Sequence, residues 1–376
     1  MRALIAIDKF KGSLTATAVA KAIQQALLRA DPSWQCDLCP IADGGEGTAD
    51  AIVTALNGRW VTAEVLDPLG RPLNARYGIV KHAGESQAIV EMSAASGLAL
   101  VNDLPADPLR ASTFGTGELL RHAAAQGVQQ ILIGIGGSAT NDGGLGMAQA
   151  LGWEGLGANS EPIPDLPEKT ECVISLRPPA SMDLPPITVA CDVTNPLLGP
   201  IGASAVYGPQ KGVTDIPFFE NRLRHIADLA IPHAAEDFRD VPGAGAAGGL
   251  GFGLMAFAGG KLASGFQIIA DLIDLHERIA AADLVITGEG RLDSQTLHGK
   301  GPHGVALLAR ELGKPVVAIA GGIEDQASLA PHFDLLLATK PAEMPLEEAI
   351  RAGTRLIEET VEHNAARFME LAQTRR

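Results

Sequence analysis

At both ends of this chain short apolar runs alternate with stretches of helical periodicity, and in the middle they do not. Residues 2–7 form a mostly apolar run that stops at Asp8. Ser13 or Thr15 can then cap a helix whose apolar face is Val19, Ile23, Ala26, Leu27 and Ala30. A strand at 35–39 leads to a helix with Ala49, Ile52, Val53 and Leu56 on one side. Toward the other end Ile268, Leu272, Leu275 and Ile279 mark a helix, and a strand at 283–287 follows. Next come a helix with Val305, Leu308 and Leu312, strands at 315–319 and 334–339, and one long amphipathic helix from Pro345 onward. About five strand–helix units of this kind predict a Rossmann-like, doubly wound parallel sheet.

The intervening stretch is different. Short alternating runs at 61–66, 75–80 and 88–92 are separated by turn signals such as Pro68-Leu69-Gly70, and 162–186 is proline-rich connection. The 376 residues exceed what one core normally holds. The expected class is therefore α/β in two domains. Residues 1–60 and 268–376 form the Rossmann-like parallel-sheet domain, and 61–267 form an inserted mixed α/β domain. The helix–strand–helix pattern at 111–152 fits either one.

A formal charge of −15 argues against nucleic acid and against anionic membrane as partners. The run 4–7 is too short for an export signal, and no stretch reaches the ~18 apolar residues of a membrane span, so the chain reads as cytoplasmic. Cys36 and Cys39 form a C-x-x-C without the second half of a zinc site, and read as buried thiols near a strand end.

The 43 glycines fall in short clusters, the usual sign of loops where backbone turns tightly or approaches a ligand. Five such segments carry chemistry. Residues 8–13 lie where the first strand gives way to its helix, the place where α/β sheets bind ligands; Asp8 and Lys11 are candidates there, Lys11 for a phosphate. Residues 42–48 offer Asp43, Gly44, Gly45 and Glu46 at a helix start, the glycines for backbone contact with an anion and the acids for a metal or a hydroxyl. Residues 136–144 follow the apolar run 131–135 and contain no large apolar side chain; their polar equipment is Ser138, Thr140, Asn141 and Asp142. Asp192 and Asn195 stand after the strand 187–190, with Gly208-Pro209-Gln210-Lys211-Gly212 continuing that segment. Residues 287–301 supply Glu289, Arg291, Asp293 and Lys300 at the carboxyl end of a strand, a kit suited to a magnesium nucleotide and a small anion.

Two glycine strings do not qualify as dinucleotide sites. Residues 243–248 match G-x-G-x-x-G without a preceding strand, and after 134–139 no Asp or Glu closes a second strand about twenty positions on. A Walker A motif is also missing from the sequence.

Taken in order, DKFKGSL (8–14), ADGGEGT (42–48), GGSATNDGG (136–144), ACDVTNP with GPQKG (190–196, 208–212), GAGAAGGLG (243–251) and ITGEGRLDSQT with GK (286–296, 299–300) resemble the type I glycerate kinase family over almost the whole chain. Where that family usually has Pro-Asp-Ser-Phe-Lys, this chain has Ile7-Asp8-Lys9-Phe10-Lys11. The resemblance implies transfer of the ATP γ-phosphoryl group to D-glycerate, usually giving 2-phosphoglycerate, with Mg²⁺, in the cleft between two α/β domains. In that setting Asp192 is the expected base, Arg291 and Lys300 the expected charge-neutralising groups, and Asp293 the expected metal ligand. A kinase of another small hydroxy acid and a non-catalytic sugar-acid sensor share the architecture.

Overall fold

The computed structural model describes residues 1–42, 44–297 and 301–374. In chain order the strands are β1 (Arg2–Ile7), β2 (Gln35–Leu38), β3 (Arg59–Leu66), β4 (Pro72–His82) and β5 (Glu85–Glu91). They continue as β6 (Gln130–Gly134), β7 (Glu154–Leu156), β8 (Ser175–Arg177), β9 (Ile187–Ala190) and β10 (Lys261–Ala263). The last are β11 (Leu284–Gly288), β12 (Arg291–Leu292), β13 (Val316–Ala320), β14 (Gly322–Ile323) and β15 (Leu335–Ala338). The chain divides into two compact units. Unit 1 is Met1–Asp43, Asp50–Ala55 and Phe266–Arg376, and unit 2 is Gly44–Ala49 and Leu56–Gly265. The segment 111–152 falls in unit 2.

Unit 1 is built on a five-stranded sheet in the order β15-β13-β11-β1-β2, parallel throughout. Every residue of β11 and β13 is buried, as both-faces-covered parallel strands demand, and this is why they read as largely apolar runs. Thr15 caps the helix Ala16–Ala30, its side chain accepting from the Ala18 N–H at 3.2 Å. That helix buries Val19, Ile23, Ala26 and Leu27 in one cluster with Ile357, Val361 and Phe368 of the C-terminal helix Gly353–Thr374. Between β1 and β11 the connectivity reverses direction, so the sheet has its topological switch point there.

Two helical expectations are corrected here. The apolar series from Ile268 to Ile279 is two helices, Gly265–Leu272 and Leu275–Ala280, because Asp274 adopts a left-handed φ of 52° that no helix interior accommodates. The helix expected from Pro345 is likewise two, Leu346–Arg351 and Gly353–Thr374, parted at Ala352 just before a glycine.

Unit 2 carries a six-stranded mixed sheet, β10-β9-β6-β5-β4-β3. The edge pairs β3–β4 and β4–β5 are antiparallel, and β5, β6, β9 and β10 run parallel. The alternation along β3 follows from a sheet with one covered face. The proline-rich 162–186 is not all connection, since β8 pairs with β7 and Val173 and Leu176 join the core. The buried helix Ala246–Ala258 completes this core, and Trp153 Nε1 donates to its Phe257 carbonyl at 3.1 Å.

Candidate active site

Unit 2 brings four of its loops to the carboxyl ends of its parallel strands. Gly44, at φ 83°, and Gly45 pack their backbone closely against the carboxyl ends of β6 and β9. A Cβ on Gly136 would sit 2.7 Å from the Gly45 Cα, and one on Gly44 would sit 3.0 Å from both the Cβ and the carbonyl oxygen of Ala190. A Cβ on Gly134 would run into the Gly44 carbonyl. The next turn of chain is held by Glu91 at the end of β5, whose Oε1 accepts from the N–H groups of Gly47 at 2.9 Å and Ala49 at 2.7 Å. Glu46 is exposed.

Asp192 lies two residues beyond the end of β9. Its Oδ1 accepts from Ser264 Oγ and from the Gly265 N–H, each at 2.9 Å, so two donors at the end of β10 fix the carboxylate's orientation. Asn195 is engaged at both ends, donating to the Ile201 carbonyl at 2.7 Å and accepting from the Tyr207 hydroxyl at 2.6 Å. These two bonds hold the 195–207 loop together.

The polar loop 136–144 is more deeply set than its composition suggests. Asp142 is buried, with Oδ2 accepting from the Thr113 N–H and Oγ1 (2.8 Å each) and the Gly146 N–H (3.2 Å), and Oδ1 from the Gly144 N–H at 3.2 Å. Burial pushes its pKa up, and these donors oppose the shift. Asp142 therefore braces the loop from within. Asn141 donates to Ser204 Oγ at 2.9 Å, while its Oδ1 and the Thr140 hydroxyl are buried without a protein partner. Lys211 lies in the segment 208–212, where no local pattern marks a role for it. It is 2% exposed, and its Nζ donates to Ser138 Oγ at 2.6 Å and to the Thr140 carbonyl at 2.7 Å. Burial lowers its pKa to about 7, against the pull of Asp142. Glu91 was missed as well; its partners are more than forty positions away in sequence, so no local signal marks it.

The glycine string 243–251 packs closely against protein backbone. Three successive residues, Ala247, Gly248 and Gly249, have positive φ, and a Cβ on Gly248 would strike the Thr140 carbonyl and approach the Asn141 Cα to 2.7 Å. The Gly248 carbonyl accepts from the Gly143 N–H at 3.0 Å.

In unit 1 two loops flank the switch point. A Cβ on Gly290 would lie 3.0 Å from the Lys11 N and 3.2 Å from the Phe10 Cα, so 8–11 and 289–293 run in backbone contact. Asp8 is buried and accepts from the Lys9 N–H at 2.6 Å, whereas Lys11 is exposed. The Thr296 hydroxyl accepts from the Asp293 N–H at 3.2 Å and donates to Glu289 Oε1 at 2.8 Å, tying two acids into one turn. Arg291 is exposed and pairs with Glu324 at 2.6 Å and Asp293 at 3.5 Å. Asp43 and Lys300 lie outside the described residues. Among the described residues no three His, Cys, Asp or Glu side chains form a metal-holding group. A magnesium ion does not require one, since it commonly takes one or two carboxylates and completes its shell with phosphates and water.

The profile of the Glycerate kinase family matches residues 3–370. The chain is 45% identical over 362 residues to a glycerate 2-kinase of Escherichia coli strain K12, covering 94% of each chain. It is 44% identical over 371 residues to a glycerate kinase of Halalkalibacterium halodurans, covering 96% of this chain and 97% of the relative. The crystal structure of a protein assigned as glycerate kinase 2 from Salmonella typhimurium LT2 superposes with a TM-score of 0.85 at 44% identity, covering 98% of both chains. No described helix is long and apolar enough to cross a membrane.

Proposed function

The chain belongs to the glycerate kinase family and is an ATP-dependent kinase, and on that premise we propose that it phosphorylates the 2-hydroxyl of D-glycerate to give 2-phosphoglycerate. The name of the Escherichia coli relative, glycerate 2-kinase, supports the choice of hydroxyl. The observation that carries the nucleotide assignment is the meeting of loops 8–11 and 289–293 at the switch point of a parallel sheet, the position at which open α/β sheets take ligands.

In this reading unit 1 binds ATP. Lys11 and Arg291 neutralise phosphate oxygens, Arg291 exchanging its pairing with Glu324 for the nucleotide. Glu289 and Asp293, joined through Thr296, present hard oxygens and are the groups that would hold Mg²⁺. When bound, the ion offsets charge on the phosphates. Unit 2 binds glycerate with the backbone of Gly44 and Gly45, and Ser138 contacts an anionic group of one of the two substrates. Asp192 orients the reacting hydroxyl and accepts its proton late in the transfer, as phosphoryl transfer requires little covalent help from the protein. Ser264 and Gly265 support that role by holding one carboxylate oxygen in place.

The test is ADP release coupled to a reporter with D-glycerate, L-glycerate and glycerol as acceptors, followed by phosphorus NMR of the product. Turnover confined to D-glycerate with phosphate on the secondary carbon is expected. Phosphate on the primary carbon would overturn the regiochemistry, and no turnover with D-glycerate would overturn the reading.

A further inference from the structure

Lys211 ends the short helical turn Pro209–Lys211 and is buried, a rare place for a lysine. Taking an ammonium group out of water is costly, and an uncharged side chain could tie two loops together at less expense. The geometry gives the charge a use. An ammonium is a donor only, so in the 2.6 Å contact Ser138 Oγ must accept. The Ser138 hydroxyl then has its own proton to direct elsewhere, and no acceptor among the described residues takes it. The second Lys211 bond, to the Thr140 carbonyl, holds the ammonium in register with the loop. Asp142 is the charged group that acts on Lys211, and Arg222 in turn senses Asp142.

We infer that Lys211 is a positioning residue that sets the polarity of the Ser138 hydroxyl, so that Ser138 donates its proton to an anionic oxygen of a substrate. The inference rests on the kinase reading above. Anionic oxygens belong both to the glycerate carboxylate and to the phosphates of ATP, and separate KM values tell them apart. Loss of the lysine proton would let the amine accept from Ser138, turning the hydroxyl inward and withdrawing the donor. Because Lys211 is held near neutrality, that reversal falls within an accessible pH range.

The experiment begins with wild-type kinetics for D-glycerate and ATP from pH 6 to 9. Ser138→Ala is expected to raise one of the two KM values about tenfold, with kcat within about threefold. Lys211→Met should raise the same KM by a similar factor and add nothing further in the Ser138→Ala background, because both remove one donor. The affected wild-type KM should climb as pH passes about 7, and that of Ser138→Ala should stay level. A rise in the glycerate KM assigns the carboxylate, and a rise in the ATP KM assigns a phosphate. Should Lys211→Met fail to fold, the Ser138→Ala constants and their pH profile decide alone. Unchanged KM values in Ser138→Ala, an unaltered pH profile, or additive effects in the double variant would each overturn the inference. Absence of wild-type turnover with D-glycerate instead removes the underlying reading.

Discussion

Replacing Gly136 with alanine probes the glycine cradle of unit 2 at one atom. The added Cβ would stand 2.7 Å from the Gly45 Cα, with the Gly45 N at 3.6 Å and the Gly44 carbonyl at 3.8 Å. Carbon atoms rest at ~3.5–4.0 Å, so the loops must part by roughly 0.8 Å or more. Both partners are backbone, and no flexible side chain can absorb the shift. Overpacking of this size costs about 1–3 kcal/mol of stability. A displacement near ~1 Å at a positioning element costs about 10²-fold in rate. Gly136→Ala should therefore lose both stability, read by urea unfolding, and about two orders of magnitude in kcat/KM, read by coupled ADP release. Gly84→Ala is the control. Gly84 has φ 86° with nothing within 4 Å of its would-be Cβ, so alanine there costs about 1 kcal/mol of strain and leaves kinetics unchanged. Gly136→Ala kinetics within about threefold of wild type would refute the placement of these glycines in the site. Intact activity with lowered stability would keep the close contact and remove its catalytic meaning.

Three further outcomes are expected. Asp192→Asn should keep fold and nucleotide affinity yet lower kcat by roughly 10²–10⁴, and magnesium titration should not restore it, whereas Asp293→Asn should recover in part; rescue of Asp192→Asn would remove it as the base. Asp142→Asn puts an amide where four donors converge, and should lower stability by about 3–5 kcal/mol in urea unfolding; an unchanged midpoint would contradict the bracing role. Burial lowers Lys211 from 10.5 to about 7, so above that pH the unfolded chain holds a proton the folded chain has released, and this group's contribution makes stability rise with pH. Wild-type stability should accordingly gain on that of Lys211→Met between pH 7 and 9, and parallel curves would show that the lysine is not so perturbed.

Much of the fold was legible because burial on both faces leaves a local trace. β13 is an unbroken apolar run and β11 nearly one, and β3 alternates because its sheet has one covered side. The helix breaks at Asp274 and Ala352 left no such trace. The apolar spacing from Ile268 to Ile279 continues through the break, and nothing local announces that Asp274 turns left-handed. Periodicity reports which face is buried, and two short helices against one core can share a face.

The site was legible as a set of loops and not as a set of roles. The composition of 136–144 marked a polar loop, yet residues 138–144 are buried, and Asp142 faces inward to Thr113 and Gly146, partners that no spacing rule connects. Lys211 sits in a proline–glycine turn that suggests solvent, yet it is buried, with its ammonium bonded to the distant loop 138–140. Glycine is the extreme case, since the residue shows only that a Cβ is missing. At 44 and 136 the gap admits one loop against another at the carboxyl ends of parallel strands, where the outer backbone can meet an anion. At 248 the same gap admits the Thr140 carbonyl from behind, so the motif that most resembles a dinucleotide fingerprint is a brace for the polar loop. What faces the missing Cβ decides between the two uses, and that neighbour is set by the fold.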